Sequence, residues 1–125
     1  RISCLLIDEA QFLTPEQAVE LHQIAVVHDV PVMAFGLRTD FQGRVFPGSA
    51  YLLALAEDIR ENPAICGCGR KSTMQVRLDD HGNRVNEGEQ IKIGGNTTYR
   101  QVCARCFYQE KPGRYLPVLD LMTLD

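Results

Sequence analysis

The apolar positions begin with an unbroken run, residues 2–7 (ISCLLI), closed by the acidic pair Asp8 and Glu9. A continuous rather than alternating run is what a strand buried on both faces of a parallel sheet requires. The period then lengthens to that of a helix. Thr14 stands as N-cap, Pro15 at the first helical position and Gln17 three residues after the cap, which together spell a capping box. Ala18, Leu21, Ala25 and His28, with Ile24 beside them, share one helical face. A second apolar run over residues 30–35 (VPVMAF) predicts another strand, so strand, helix and strand form a right-handed βαβ unit whose helix covers the sheet.

A turn-rich stretch, 36–49, leaves the carboxyl end of that second strand, where open α/β sheets bind ligands. Residues 50–58 (AYLLALAED) predict a short apolar helix, and 59–66 an extended segment leading out of it. The pattern changes from Cys66 onward. Short β-like pieces, 73–78 (TMQVRL) and 98–103 (TYRQVC), flank a polar, glycine-bearing span, which predicts a small β-hairpin with a long loop. Residues 110–125 carry neither strong periodicity nor a motif. The expected organisation is an α/β body over 1–63, a cysteine-bearing appendage over 64–109 and a tail over 110–125.

Composition narrows the possible partners. A length of 125 residues suits one domain, or a larger element with an appendage. A net charge of -3 and a pI near 5.6 argue against a broad polyanion-binding surface, which needs clustered Lys and Arg. No stretch approaches the roughly 20 apolar residues of a membrane helix. Five cysteines, an odd count, fit a reducing compartment better than a disulfide framework, so the protein is read as cytoplasmic. Cys4 lies in the first apolar run and is expected to be a core thiol.

The other four cysteines pair by spacing. Cys66 and Cys68 form a C-x-C, Cys103 and Cys106 a C-x-x-C, and four thiolates are the soft tetrahedral set that suits structural Zn²⁺. Gly67 and Gly69 give the shorter pair an adaptable backbone. The alternative is a set of free thiols or an adventitious disulfide.

An apolar strand ending in Asp8 and Glu9 has the form of a Walker B strand. It holds one carboxylate to orient hydrated Mg²⁺ and another to act as base, although an acidic pair after a strand is also a common approach to a helix. The usual companion, a G-x-x-x-x-G-K-[ST] phosphate loop, occurs nowhere in these 125 residues. The chain is therefore expected to be the carboxyl-terminal part of a longer protein, and by itself nearly inactive.

In order along the chain, LLIDEAQF, FGLRTDFQGRVFPGS, ICGCGRKSTMQVRLD, NEGEQIKIGGNTTYRQVC and CARCF resemble the thymidine kinase family of bacteria and the animal cytosol, over about Cys4 to Tyr108. The resemblance implies a parallel-sheet, P-loop-type kinase core, present in part, with a β-hairpin zinc-binding "lasso" domain. It implies transfer of the γ-phosphoryl of ATP to the 5'-hydroxyl of thymidine, with Glu9 as general base and Asp8 and Gln11 on the Mg²⁺–ATP side. Phe12, Leu37, Phe41, Phe46 and Tyr99 would line the nucleoside pocket, the phenylalanines having plain core packing as their alternative. The backbone of Lys92, Ile93, Gly94 and Gly95 would meet the polar edge of thymine. Lys92 stands where the family usually has an apolar residue. Cys66, Cys68, Cys103 and Cys106 would hold structural Zn²⁺. A homotetramer and feedback by dTTP are implied as well, with no nucleic-acid or membrane partner.

Two other readings use the same motifs. DEAQ also occurs in the Walker B box of helicase-like ATPases, and a four-cysteine knuckle can serve as a non-catalytic interaction module. Neither accounts for GLRTDF and IGGNTTY.

Overall fold

The computed structural model describes residues 3–91 and 98–109. Lys92, Ile93, Gly94 and Gly95, together with residues 110–125, lie outside that set. The described chain forms two compact units: residues 3–39 with 45–61, and residues 40–44 with 62–91 and 98–109.

In the first unit β1 (Leu5–Ile7) pairs in parallel with β2 (Val32–Ala34), Leu5 facing Val32 and Ile7 facing Ala34. Both strands are shorter than their apolar runs. At the entry to β2, Pro31 has no N–H and contributes only its carbonyl, which accepts from Leu5 N at 2.9 Å. Between the strands runs α1 (Pro15–Val27), opened by the full capping box: Thr14 Oγ1 accepts from Gln17 N at 3.1 Å, and Gln17 Oε1 accepts from Thr14 N at 2.9 Å. Cys4 is exposed, contrary to the expectation of a core thiol. The reason is local: it precedes the ladder, and β1 has one strand neighbour among the described residues, which leaves even Leu6 66% exposed.

The second helix, α2 (Pro47–Leu55), starts three residues before the expected position and stops before Glu57 and Asp58. Pro47 is well placed in a first helical turn, and acidic residues oppose the negative end of a helix dipole. Its first turn presses on the chain ahead of α1. A Cβ at Gly48 would stand 2.1 Å from the Leu13 carbonyl oxygen, so only glycine fits.

The second unit is a three-stranded antiparallel sheet in the order β4 (Arg84–Val85), β3 (Met74–Leu78), β5 (Thr98–Val102), followed by α3 (Ala104–Gln109). β4 occupies part of what reads in the sequence as loop. It is returned onto β3 by a tight turn in which Asp79 Oδ1 accepts from the amides of His81 and Asn83, at 2.9 and 2.8 Å, while Gly82 takes a φ of 80°. One face of β3 packs Val76 with Val102, Phe107, Cys66 and Cys103 into a small core. Its other face presents Arg77, 1% exposed, so the strand is covered on both sides.

Candidate metal centre and nucleoside site

The cysteine pairs converge from two local devices. A hairpin turn brings Cys66 and Cys68 round: Cys66 N donates to Arg70 O at 2.7 Å, Gly69 N donates to Cys66 O at 2.8 Å, and Gly69 takes a φ of 94°. Gly67 has no positive φ, so the flexibility the turn requires resides at Gly69. The second pair lies where β5 enters α3, Cys103 immediately before the helix and Cys106 in its first turn, with Cys106 N donating to Cys103 Sγ at 3.4 Å.

All four ligand atoms lie within 4.8 Å of one another, and Cys68 Sγ is 3.6 Å from Cys103 Sγ. Four sulfurs bonded to one Zn²⁺ at about 2.3 Å stand about 3.8 Å apart, so the cluster has the size and donor chemistry to hold a metal such as zinc. The electrostatics agree. The Arg70 backbone N–H, and then its guanidinium, hold the Cys68 thiol down at about 6. Backbone hydrogen bonds at Cys68 and Cys103 lower Cys66. Cys103, then Cys68 and Cys66, push Cys106 up to about 12. Clustered thiols resist losing every proton until a cation joins them.

In the first unit, β1 ends at Asp8 and Glu9, both exposed. Glu9 adopts a left-handed conformation with φ 51° and ψ 43°. Its N–H donates to Asp8 Oδ1 at 2.9 Å, and its Oε2 accepts from Gln11 Nε2 at 2.5 Å. Gln11 is buried, and its Oε1 in turn accepts from Leu37 N at 3.2 Å. The carboxylate is thus aimed by an amide that is itself fixed to the chain after β2. Sequence reasoning missed Gly36 here: a Cβ on it would meet Gln11 Oε1 at 2.7 Å. Leu37 O accepts from Ser49 Oγ at 2.5 Å, while Phe12 meets the buried Phe46 edge-to-face at 6.0 Å between centroids. Glu9, Gln11, Phe12, Leu37 and Phe46 therefore gather within one unit.

Phe41 and Tyr99 gather in the other. They flank the Arg77 guanidinium, whose Cζ lies 3.7 Å from the Phe41 ring centroid and 5.3 Å from that of Tyr99. Arg77, Gln90 and Asp40 escaped the sequence reading. The one signal for them was a cation in the middle of the β-like piece TMQVRL. Lys92, Ile93, Gly94 and Gly95 fall outside the described residues.

The thymidine kinase family model matches residues 1–107. The chain belongs to the thymidine kinase family. It is 58% identical over 108 residues to the thymidine kinase of Chromobacterium violaceum, a match covering 86% of this chain and 59% of that protein. Identity to the thymidine kinase of Albidiferax ferrireducens is 53% over 111 residues, covering 89% and 56% of the two chains. To that of Legionella pneumophila strain Lens it is 48% over 125 residues, covering 100% and 60%. The chain thus spans less than two thirds of the length of these relatives. Among the described residues no helix is long and apolar enough to cross a membrane.

Proposed function

We propose that the whole protein is a thymidine kinase, transferring the γ-phosphoryl group of ATP to the 5'-hydroxyl of thymidine to give dTMP. The observation that carries this reading is the Glu9 carboxylate, held at the tip of β1 by Gln11 and by an unusual backbone, in a chain of this family. Phosphoryl transfer needs a base within hydrogen-bond reach of the attacking hydroxyl, and otherwise chiefly positioning and charge stabilisation. Glu9 takes the 5'-hydroxyl proton. Asp8 orients Mg²⁺, and Gln11 keeps Glu9 aligned on the ATP side.

Phe12, Leu37, Phe41, Phe46 and Tyr99 line the nucleoside pocket. The backbone of Lys92, Ile93, Gly94 and Gly95 reads the polar edge of the base, where fixed donors and acceptors reject cytosine by leaving buried groups unpaired. Cys66, Cys68, Cys103 and Cys106 hold Zn²⁺, which ties the turn at Cys66 to the start of α3 and takes no part in the chemistry. In this reading residues 1–63 are part of a P-loop-type kinase core, 64–109 the lasso domain and 110–125 a tail. The phosphate loop belongs to a further part of the protein, which works as a cytoplasmic tetramer inhibited by dTTP.

The test is transfer of label from γ-labelled ATP to thymidine by the whole protein, with thermal stabilisation measured in parallel. Thymidine and dTTP should both raise the melting temperature. Stabilisation by oligonucleotides alone, without dTMP formation, would refute the assignment.

A further inference from the structure

Arg77 joins three separate parts of the second unit. It lies directly opposite Tyr99 in the β3–β5 register, and its Nε–H donates to Tyr99 Oη at 2.9 Å. Its guanidinium covers the Phe41 ring, and its Nη2 donates to Gln90 O at 3.3 Å. Gln90 is itself tied down, since its Nε2 donates to Asp40 Oδ2 at 3.0 Å. Asp40, 3% exposed, closes the 40–44 loop by accepting from Gln42 N and Arg44 N through Oδ1, at 2.8 and 2.9 Å. The fit around the guanidinium is tight. Gly88, with φ +131°, would place a Cβ 3.2 Å from Arg77 Nη1.

Burying a guanidinium is costly unless its surroundings satisfy it. Among the described residues the charge is met by two ring faces, a phenol and a carbonyl. Such an arrangement contributes little net stability that an apolar residue could not supply. It does fix the relative geometry of a β5 side chain, a loop side chain and the backbone just ahead of residues 92–95. Arginine suits that task because its planar fork lies flat on a ring while donating in fixed directions, whereas an ammonium is a compact charge whose donors rotate freely.

We propose that Arg77 is a positioning residue for the pyrimidine nucleoside: by fixing Tyr99, Phe41 and the backbone at Gln90 in one arrangement, it sets nucleoside affinity without touching the reacting atoms. The proposal rests on the reading above that Phe41 and Tyr99 line the nucleoside pocket.

The experiment is a double-substitution cycle in the whole protein with Arg77→Lys, Tyr99→Phe and the pair. Thymidine KM, kcat and zinc content are read for each. Misplaced binding groups cost affinity steeply, so Arg77→Lys should raise thymidine KM about tenfold, with kcat within about threefold and zinc content unchanged. Tyr99→Phe removes one oxygen and should raise KM about threefold. The combined variant should be no worse than Arg77→Lys, because both changes break the same contact. An active wild type whose variants keep its KM overturns the positioning role alone, as do additive effects. If Arg77→Lys loses zinc or cooperative melting while Tyr99→Phe keeps the wild-type KM, the residue is merely structural and the proposal fails. Wild-type protein that does not phosphorylate thymidine overturns the functional reading instead, and this inference with it.

Discussion

Glu9 illustrates how much local structure one carboxylate can require. A non-glycine residue in the left-handed region costs about 1 to 2 kcal/mol, and the chain sustains φ 51° there by bonding Glu9 N to Asp8 and Glu9 Oε2 to the buried Gln11. Strain of this kind motivates a functional hypothesis for Glu9, although Asp29 takes a similar φ of 54°. If Glu9 is the base, Glu9→Gln should lower kcat by about 10² to 10⁴ while the thymidine dissociation constant stays within about threefold. Steady-state kinetics and equilibrium binding on the same preparation measure the two quantities, and near wild-type turnover would dismiss the role. The cysteines give a pH prediction whose sign follows from their protons. Near pH 7.5 the Cys68 thiol, held at about 6, is already ionised, whereas Cys106, raised to about 12, keeps its proton until a metal displaces it. Because the metal-free cluster binds the extra proton, raising the pH favours the loaded state. Chelator competition from about pH 6 to about pH 8 should show zinc affinity rising throughout. A flat profile would contradict the arrangement.

At the scale of elements, the sequence announces what local chemistry determines. The Thr14–Gln17 box is written in consecutive residues, and α1 begins where those residues say. Thr14→Ala removes the side-chain acceptor for Gln17 N and should cost about 1 kcal/mol, a fall of several degrees in melting temperature. Gly48→Ala should cost more, since the atom it would strike, 2.1 Å away, is a backbone oxygen at Leu13 that cannot rotate aside. Calorimetry on the two variants orders them, and the opposite order would mean that α2 can shift. Features set by distant partners were less legible. Pro47 and Gly48 read as turn residues, yet they open α2, because what selects glycine is the approach of Leu13. The alternation in TMQVRL does not reveal that the Arg77 side of β3 is covered, because its cover comes from Phe41, more than thirty residues earlier. Cys4 reads as core because it lies in an apolar run, but burial depends on neighbouring strands that a run cannot specify. The four-cysteine cluster was legible from spacing, although 34 residues lie between Cys68 and Cys103, because two closely spaced cysteine pairs together offer a complete tetrahedral ligand set.

On the scale of the whole molecule, the chain passes between its units at 39–40, 44–45 and 61–62, and this places the five-residue loop 40–44 with the cysteine-bearing unit. The loop belongs there physically. Phe41 is 1% exposed against Arg77, and a Cβ at Gly43 would meet the Phe107 ring at 3.2 Å. The core that receives it is small, and of its five buried residues, Cys66, Val76, Val102, Cys103 and Phe107, two belong to the cysteine cluster. So small a core depends on added cross-links, and a metal that binds the native arrangement contributes its binding free energy to folding. If the cysteine cluster holds a metal as proposed, withdrawing it should therefore loosen this unit selectively. In hydrogen exchange after chelation, the amides of β3, β5 and α3 should lose protection while those of α1 and of the β1–β2 pair retain theirs. The 40–44 loop decides the matter, because its neighbours in sequence lie in one unit and its packing lies in the other. Its amides at Asp40, Gly43 and Arg44, bonded within the loop at 2.8, 3.1 and 2.9 Å, should be released together with β3 on adding the chelator. Should they instead stay protected with β2 and α2, the loop would owe its structure to the first unit, and the metal would be holding a smaller piece of the protein than these contacts indicate.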